Sequence, residues 1–175
     1  MMNETSLEKA GSENSGALAA ALSDFDLEEI REETRSVQYL LFQSSDGVYG
    51  INILETHEVL KPIPVTRLPN VEPEALGVIN LRGSIIPVID IKFKFGAGYT
   101  ELTPLCRIVV CTYAGKMRGI LVERVLEVAR IPENSIEGAE VSDFSHRYIS
   151  GVGRGDGRIF LILNPEAVFE NTSEE

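Results

Sequence analysis

The chain has 175 residues, 43% of them hydrophobic, which is enough apolar material for a proper core in one domain or in two small ones packed together. Sixteen Lys and Arg against 27 Asp and Glu leave a formal charge of −11, which disfavours nucleic acid and anionic membrane surfaces as partners and leaves basic protein surfaces open. No apolar run approaches the roughly 20 residues that span a bilayer, and the N-terminus lacks the features of a signal peptide, so a cytoplasmic protein without direct membrane insertion is expected.

Residues 1–36 differ from the rest, with nine acids against three bases and a first half rich in Ser, Asn, Gly and Glu. Such a segment cannot bury enough apolar surface to offset the entropy of ordering, so an acidic, largely disordered tail is expected. Leu18, Leu22 and Phe25 fall on one stripe of a possible short helix within it. The folded domain is expected over 37–172.

Order begins at Val37, where VQYLLFQ and GVYGINI flank Ser44-Ser45-Asp46-Gly47, an Asp-Gly turn between two β-rich runs. Thr56 to Lys61 continues as a strand, Pro62 and Pro64 break it, VTRLP is extended, and Pro73 to Leu76 reads as a short turn of helix. Gly77 to Ile91 (GVINLRGSIIPVIDI) is a hairpin bent at Asn80-Leu81-Arg82-Gly83-Ser84. Gly83 accounts for the turn, whereas nothing about turning calls for the guanidinium of Arg82, so a recognition role is the alternative to a local ion pair. Pro87 cannot donate to a ladder and places its strand at an edge or an interruption. FGAGYTELTP is a loop, and Arg107 to Tyr113, Met117 to Glu123 and Val125 to Arg130 read as strands, with a tight turn at Ala114 to Lys116. Pro132 to Phe144 reads as loop, Tyr148 to Val152 and Arg158 to Asn164 bracket a glycine-rich turn, and Pro165 is placed to open a short C-terminal helix.

The ordered part repeats weakly against itself. At an offset of 69, Tyr39 to Phe42 falls on Ile108 to Cys111, Gly50-Ile51 on Gly119-Ile120, and Glu58-Val59 on Glu127-Val128. At an offset of 74, Gly77-Val78 meets Gly151-Val152, Ile85-Ile86 meets Ile159-Phe160, and Val88 to Asp90 meets Ile162 to Asn164. Each half supplies about five short strands, a number that can curl into a small barrel and manage its edges. The expected fold is all-β: two small, similar β-barrels sharing a core, with short helices.

Catalytic chemistry finds no anchor. A nucleophilic triad has only His57 and His146 to draw on, and neither sits in an active-site motif. No Cys or His pairs show zinc spacing, and the odd spacing of Cys106 and Cys111 aims them at opposite faces of one strand, against a disulfide or shared metal. The Gly151 to Gly157 run misses the third glycine of a dinucleotide fingerprint and precedes a strand, so it reads as a turn plus a bare patch where another segment approaches. Glu123 and Glu127 read as ordinary surface charges. With no Trp and few basic residues, a single-strand nucleic-acid groove is disfavoured too. A binding module without enzymatic activity, cofactor or metal remains.

Four segments, LLFQSSDGVYGINI (40–53), GVINLRGSIIPVIDIKFKF (77–95), GILVERVLEV (119–128) and YISGVGRGDGRIFLIL (148–163), resemble the CheW family of chemotaxis adaptors over roughly residues 37 to 170. Asn80-Leu81-Arg82-Gly83 followed by Ile86 to Asp90 is the most specific part. The resemblance implies two SH3-like five-stranded barrels. It also implies a cytoplasmic adaptor, recruited to membrane-associated receptor arrays, that links the cytoplasmic tip of methyl-accepting chemoreceptors to the regulatory domain of a CheA-type histidine kinase. By motif position it makes Thr56, Glu58, Arg82, Arg107, Ile108 and Gly119 candidates for a receptor-facing groove, with Glu58 close to Arg82, and it gives the kinase the hydrophobic ends of the barrels. The acidic tail lies outside the likeness, which leaves open another chemosensory array, such as one controlling surface motility. A generic β-barrel interaction module is the alternative outside the family.

Overall fold

The structure, a computed structural model, describes residues 35–138 and 147–170. The acidic tail with its possible helix, and His146, lie outside these residues. The strands are β1 (Ser36–Ser44), β2 (Gly47–Asn52), β3 (Thr56–Leu60), β4 (Ala75–Leu81), β5 (Ser84–Asp90), β6 (Arg107–Tyr113), β7 (Lys116–Val122), β8 (Arg124–Pro132), β9 (Ile136–Gly138), β10 (Ile149–Gly155) and β11 (Arg158–Leu163). Two short helices follow β5 and β11: α1 (Ile91–Lys94) and α2 (Pro165–Phe169).

The strands form two mixed sheets in the orders β8-β1-β2-β11-β10-β9 and β3-β6-β7-β5-β4. The repeat is present, but its halves do not coincide with the sheets. Shifting the second sheet by the two offsets carries β3, β6, β7, β5 and β4 onto β8, β1, β2, β11 and β10 in the same order, so each sheet takes strands from both halves of the chain. The parallel contacts agree, because Val88 pairs with Gly119 in one sheet and Ile162 with Gly50 in the other. This exchange makes the two barrels inseparable, since neither half can complete a sheet alone.

The exchange also explains why several strands read as unbroken apolar runs. In β1, Leu40 and Phe42 enter a core shared by both sheets, whereas Tyr39 and Leu41 point into the first sheet's own interior. In β6, Val109 and Cys111 join the shared core and Ile108 and Val110 fill the second sheet's interior. Strands buried on both faces lose the alternation of a half-exposed sheet. Cys106 and Cys111 are both free and fall in different clusters, as their odd spacing implies.

Several local expectations change. Pro73 to Leu76 is not a turn of helix: a turn ends at Glu74, and β4 begins at Ala75, whose Cα partner is Ile89. The Glu74 carbonyl accepts from Asp90 N at 2.8 Å, so pairing with β5 overrides the local helical tendency. Ile91 leaves the strand and starts α1, capped by the Asp90 carboxylate. Pro132 to Phe144 is more than loop, because β9 pairs three residues with β10, where Gly151 and Gly153 lie opposite Gly138 and Ile136. The glycines of β10 are a bare patch as expected: a Cβ at Gly153 would strike the Phe160 ring and one at Gly155 would strike Ile131. Pro87 marks an interruption inside the sheet. It faces Val78, whose N–H and C=O turn outward to bond Thr66 at 2.8 Å each, and the parallel pairing with β7 starts just after it, at Val88.

Candidate functional site

Leu81 pairs with Ser84, so Arg82 and Gly83 form a two-residue loop with φ of 51° and 89°. Positive φ at both positions belongs to the mirror-image turns whose twist suits a hairpin, and Gly, Asn and Asp are the residues that tolerate it. Asn80 Oδ1 accepts from Gly83 N at 2.9 Å and pins the turn. Arg82 therefore occupies a backbone position unfavourable to it, which directs attention to its side chain.

That side chain reaches across the second sheet's two edges. Nη1 donates to Glu58 Oε1 at 3.2 Å and Nη2 to Glu58 Oε2 at 3.1 Å, a parallel fork from the β4–β5 turn to strand β3. Strands β3 and β4 are the outer strands of that sheet, so the pair clasps a seam that backbone bonds leave open. Glu58 is 21% exposed and Arg82 76%, so the carboxylate holds a guanidinium displayed to solvent. Val59 and Ile85 are exposed alongside.

The other candidates divide. Thr56 lies on the same strand as Glu58, and its hydroxyl donates to the Asn52 carbonyl at 3.3 Å. Arg107 is turned back on its own loop, donating to the carbonyls of Pro104 at 2.8 Å and Cys106 at 2.6 Å. Ile108 and Gly119 are buried. A Cβ at Gly119 would lie 2.9 Å from Val88 Cγ2 and 3.2 Å from Ile108 Cγ2, so Gly119 and Ile108 pack closely together within the second sheet. Only Glu58 and Arg82 among the candidates are joined by side-chain hydrogen bonds.

Three further features depart from the sequence pattern or leave little trace in it. Glu123 is no ordinary surface charge: it accepts from Ser45 N at 2.6 Å and Lys92 Nζ at 2.7 Å, fastening the β1–β2 turn to α1. A cleft of about 850 Å³ lies between the 62–73 segment and the loop before β6, with Leu68, Val71, Tyr99 and Leu102 exposed on its walls. The signal for it was the prolines at 62, 64, 69 and 73, which hold that segment extended. Glu55 closes a 3₁₀ turn (Ile53–Glu55) just before Thr56, where burial raises its carboxyl pKa, and no sequence pattern marks a half-buried acid.

Two mixed sheets with a shared core and a guanidinium clasped at a hairpin tip define a class, the paired-barrel β scaffold. The chain belongs to the CheW-like family, whose domain model matches residues 38–173. It is 31% identical over 135 residues to the chemotaxis protein CheW of Helicobacter pylori, covering 77% of this chain and 82% of that one. It is also 31% identical over 148 residues to the chemotaxis protein CheW of Klebsiella aerogenes, covering 82% and 86%. The crystal structure of the scaffolding protein TtCheW from Thermoanaerobacter tengcongensis matches with a TM-score of 0.74 and 31% identity, over 81% of this chain and 98% of that one.

Proposed function

We propose that this protein is a chemotaxis adaptor without catalytic activity that binds chemoreceptors and a CheA-type histidine kinase together. The receptor contact is their cytoplasmic tip, and the kinase contact is its regulatory domain. The adaptor domain spans 37–172, with the acidic tail as an appendage, and it works in the cytoplasm, recruited to receptor arrays. Membership of the CheW-like family supports the role, and no helix among the described residues is long and apolar enough to cross a membrane. The observation that carries the site is Arg82: it is highly exposed, held by Glu58, and placed where the backbone favours other residues.

An exposed ion pair contributes only about 0–1 kcal/mol to folding, whereas an arginine at the centre of an interface can be worth about 2 kcal/mol or more of binding. Arg82→Ala should therefore leave the melting temperature nearly unchanged and weaken binding of a receptor cytoplasmic fragment by tenfold or more. Arg82→Lys should restore little, because an ammonium cannot reproduce the fork. Calorimetry and thermal melts on the same preparations check this. Wild-type affinity of Arg82→Ala for both receptor and kinase, or loss of the fold, would remove Arg82 from the site.

A further inference from the structure

The carboxylates of the described residues that are not fully exposed divide into two kinds. Glu58, Glu74 and Glu123 each meet a cation, from Arg82, Lys94 and Lys92, and Asp90 accepts from the N–H and hydroxyl of Thr100 and from the start of α1. Glu55 is half-buried as well, yet no hydrogen bond or ion pair reaches it from any described residue. It lies in a pocket of about 290 Å³ lined also by Tyr39 of β1, Asn52, Ser150 of β10, and Asn164 and Pro165 at the start of α2. Burial raises the Glu55 carboxyl pKa. Its charge is felt by its neighbours: the Tyr39 hydroxyl is pushed up by burial, then by Glu55 and Glu133, and the buried Cys111 thiol is pushed up to about 12 by burial and then by Glu55. The pocket thus carries a negative field that no group of the described chain answers.

We propose that this pocket receives one lysine or arginine side chain of a partner protein, with the Glu55 carboxylate accepting its hydrogen bonds. Three observations bear on the occupant. A volume of about 290 Å³ lies at the small end of the ~300–1,000 Å³ of ligand sites and has room for a single side chain. The formal charge of −11 draws basic surfaces to the whole protein. Glu55 immediately precedes Thr56, and Glu58 of the clasp lies three residues on, so the pocket adjoins the start of the strand that carries the clasp. The assignment of that partner as the chemoreceptor rests on the adaptor reading. A half-buried carboxylate without a partner weakens the free fold, a trade of stability for binding found at functional positions.

The test uses Glu55→Gln, which keeps the shape and removes the charge, and Glu55→Lys, which reverses it. The pocket is probed directly with n-butylammonium and n-butylguanidinium, followed by NMR at the Ser150 and Asn164 amides. Saturable shifts in the wild type that vanish in Glu55→Gln are expected, and no saturable shift in the wild type overturns the proposal whether or not a receptor binds. Glu55→Gln should melt at or above the wild-type temperature at pH 7 and bind a receptor cytoplasmic fragment at least tenfold more weakly, with Glu55→Lys weaker still. A lower melting temperature together with unchanged affinity marks Glu55 as structural and overturns the proposal. A wild type that answers the small cations but binds no receptor fragment keeps the pocket and counts against the adaptor reading alone.

Discussion

The β4–β5 hairpin of the second sheet and the β10–β11 hairpin of the first hold equivalent places, and each sends an arginine to a glutamate on an edge strand. Arg82 reaches Glu58 on β3, and Arg158 reaches Glu127 on β8 with Nη1 to Oε1 at 2.8 Å. The glutamates are related by the 69-residue offset, and the apolar neighbours follow the repeat too, with Ile85 and Ile159 each 63% exposed. The arginines, however, are not equivalent. Position 82 maps to Asp156, so the second clasp draws its arginine from the first residue of β11 and leaves the left-handed turn position, φ 49°, to an aspartate. The repeat thus contains its own control: the same turn folds with an aspartate at the equivalent position, so the turn itself does not require an arginine.

A second pair of equivalents gives the largest expected difference. Asp90 and Asn164, 74 residues apart, cap α1 and α2. Asp90 is buried and accepts from Lys92 N, Phe93 N, Thr100 N at 2.7 Å and Thr100 Oγ1 at 2.8 Å, so it also fastens the loop after α1. Asn164 Oδ1 accepts from Ala167 N at 3.3 Å. Removing Asp90 strands the two buried donors of Thr100 at roughly 1–3 kcal/mol each, with partial relaxation, and uncaps the half-buried amides of α1, whereas losing a simple cap costs about 1 kcal/mol. Asp90→Ala should therefore destabilise by about 3 kcal/mol in urea unfolding and Asn164→Ala by about 1 kcal/mol. Equal losses would show that the loop after α1 draws nothing from Asp90.

The two clasps should differ less in folding than in binding. Double-mutant cycles on Arg82–Glu58 and Arg158–Glu127 are expected to give about 0–1 kcal/mol of coupling in stability for each, reduced by salt, with the forked pair the larger. A coupling near 2 kcal/mol for Arg82–Glu58 would make that pair a structural closure of the seam and blur the contrast with the first sheet.

What could be read before folding follows the same division. The strands buried on both faces announced themselves as apolar runs such as Tyr39 to Phe42 and Ile108 to Cys111, and their common offset exposed the repeat. The exchange of strands between sheets left no mark, because a hydrophobic pattern says that a strand is buried without naming the strand beside it. Strand β9 was illegible for a related reason. Three residues have little β preference of their own, and Ile136–Gly138 is held by pairing with β10 and by the Arg154–Glu137 fork, both of which exist only after folding. Arg82 was legible because the turn around it could be explained without it. Glu55 was not, since its pocket is completed by Ser150 of β10 and by Asn164 and Pro165 at the start of α2, about 100 residues further along the chain.

The smallest effect tests the control itself. If the hairpin turns prefer Asn or Asp at the first loop position, then Arg82→Asn should stabilise the fold slightly, by about 0.5–1 kcal/mol against the loss of a surface ion pair, because Asn enters the left-handed region more easily. Asp156→Arg should lower stability by a similar amount, placing at the first sheet's turn the residue that the second sheet carries. Both shifts are measurable as changes of a few degrees at most in the melting temperature. The instructive result is the pairing of the two readouts: Arg82→Asn gaining stability while losing receptor affinity would show that the left-handed arginine is kept at the expense of the fold. A loss of stability in Arg82→Asn larger than the ion pair explains would mean that the guanidinium holds β3 against β4, and the comparison between the two hairpins would then describe how each seam is closed.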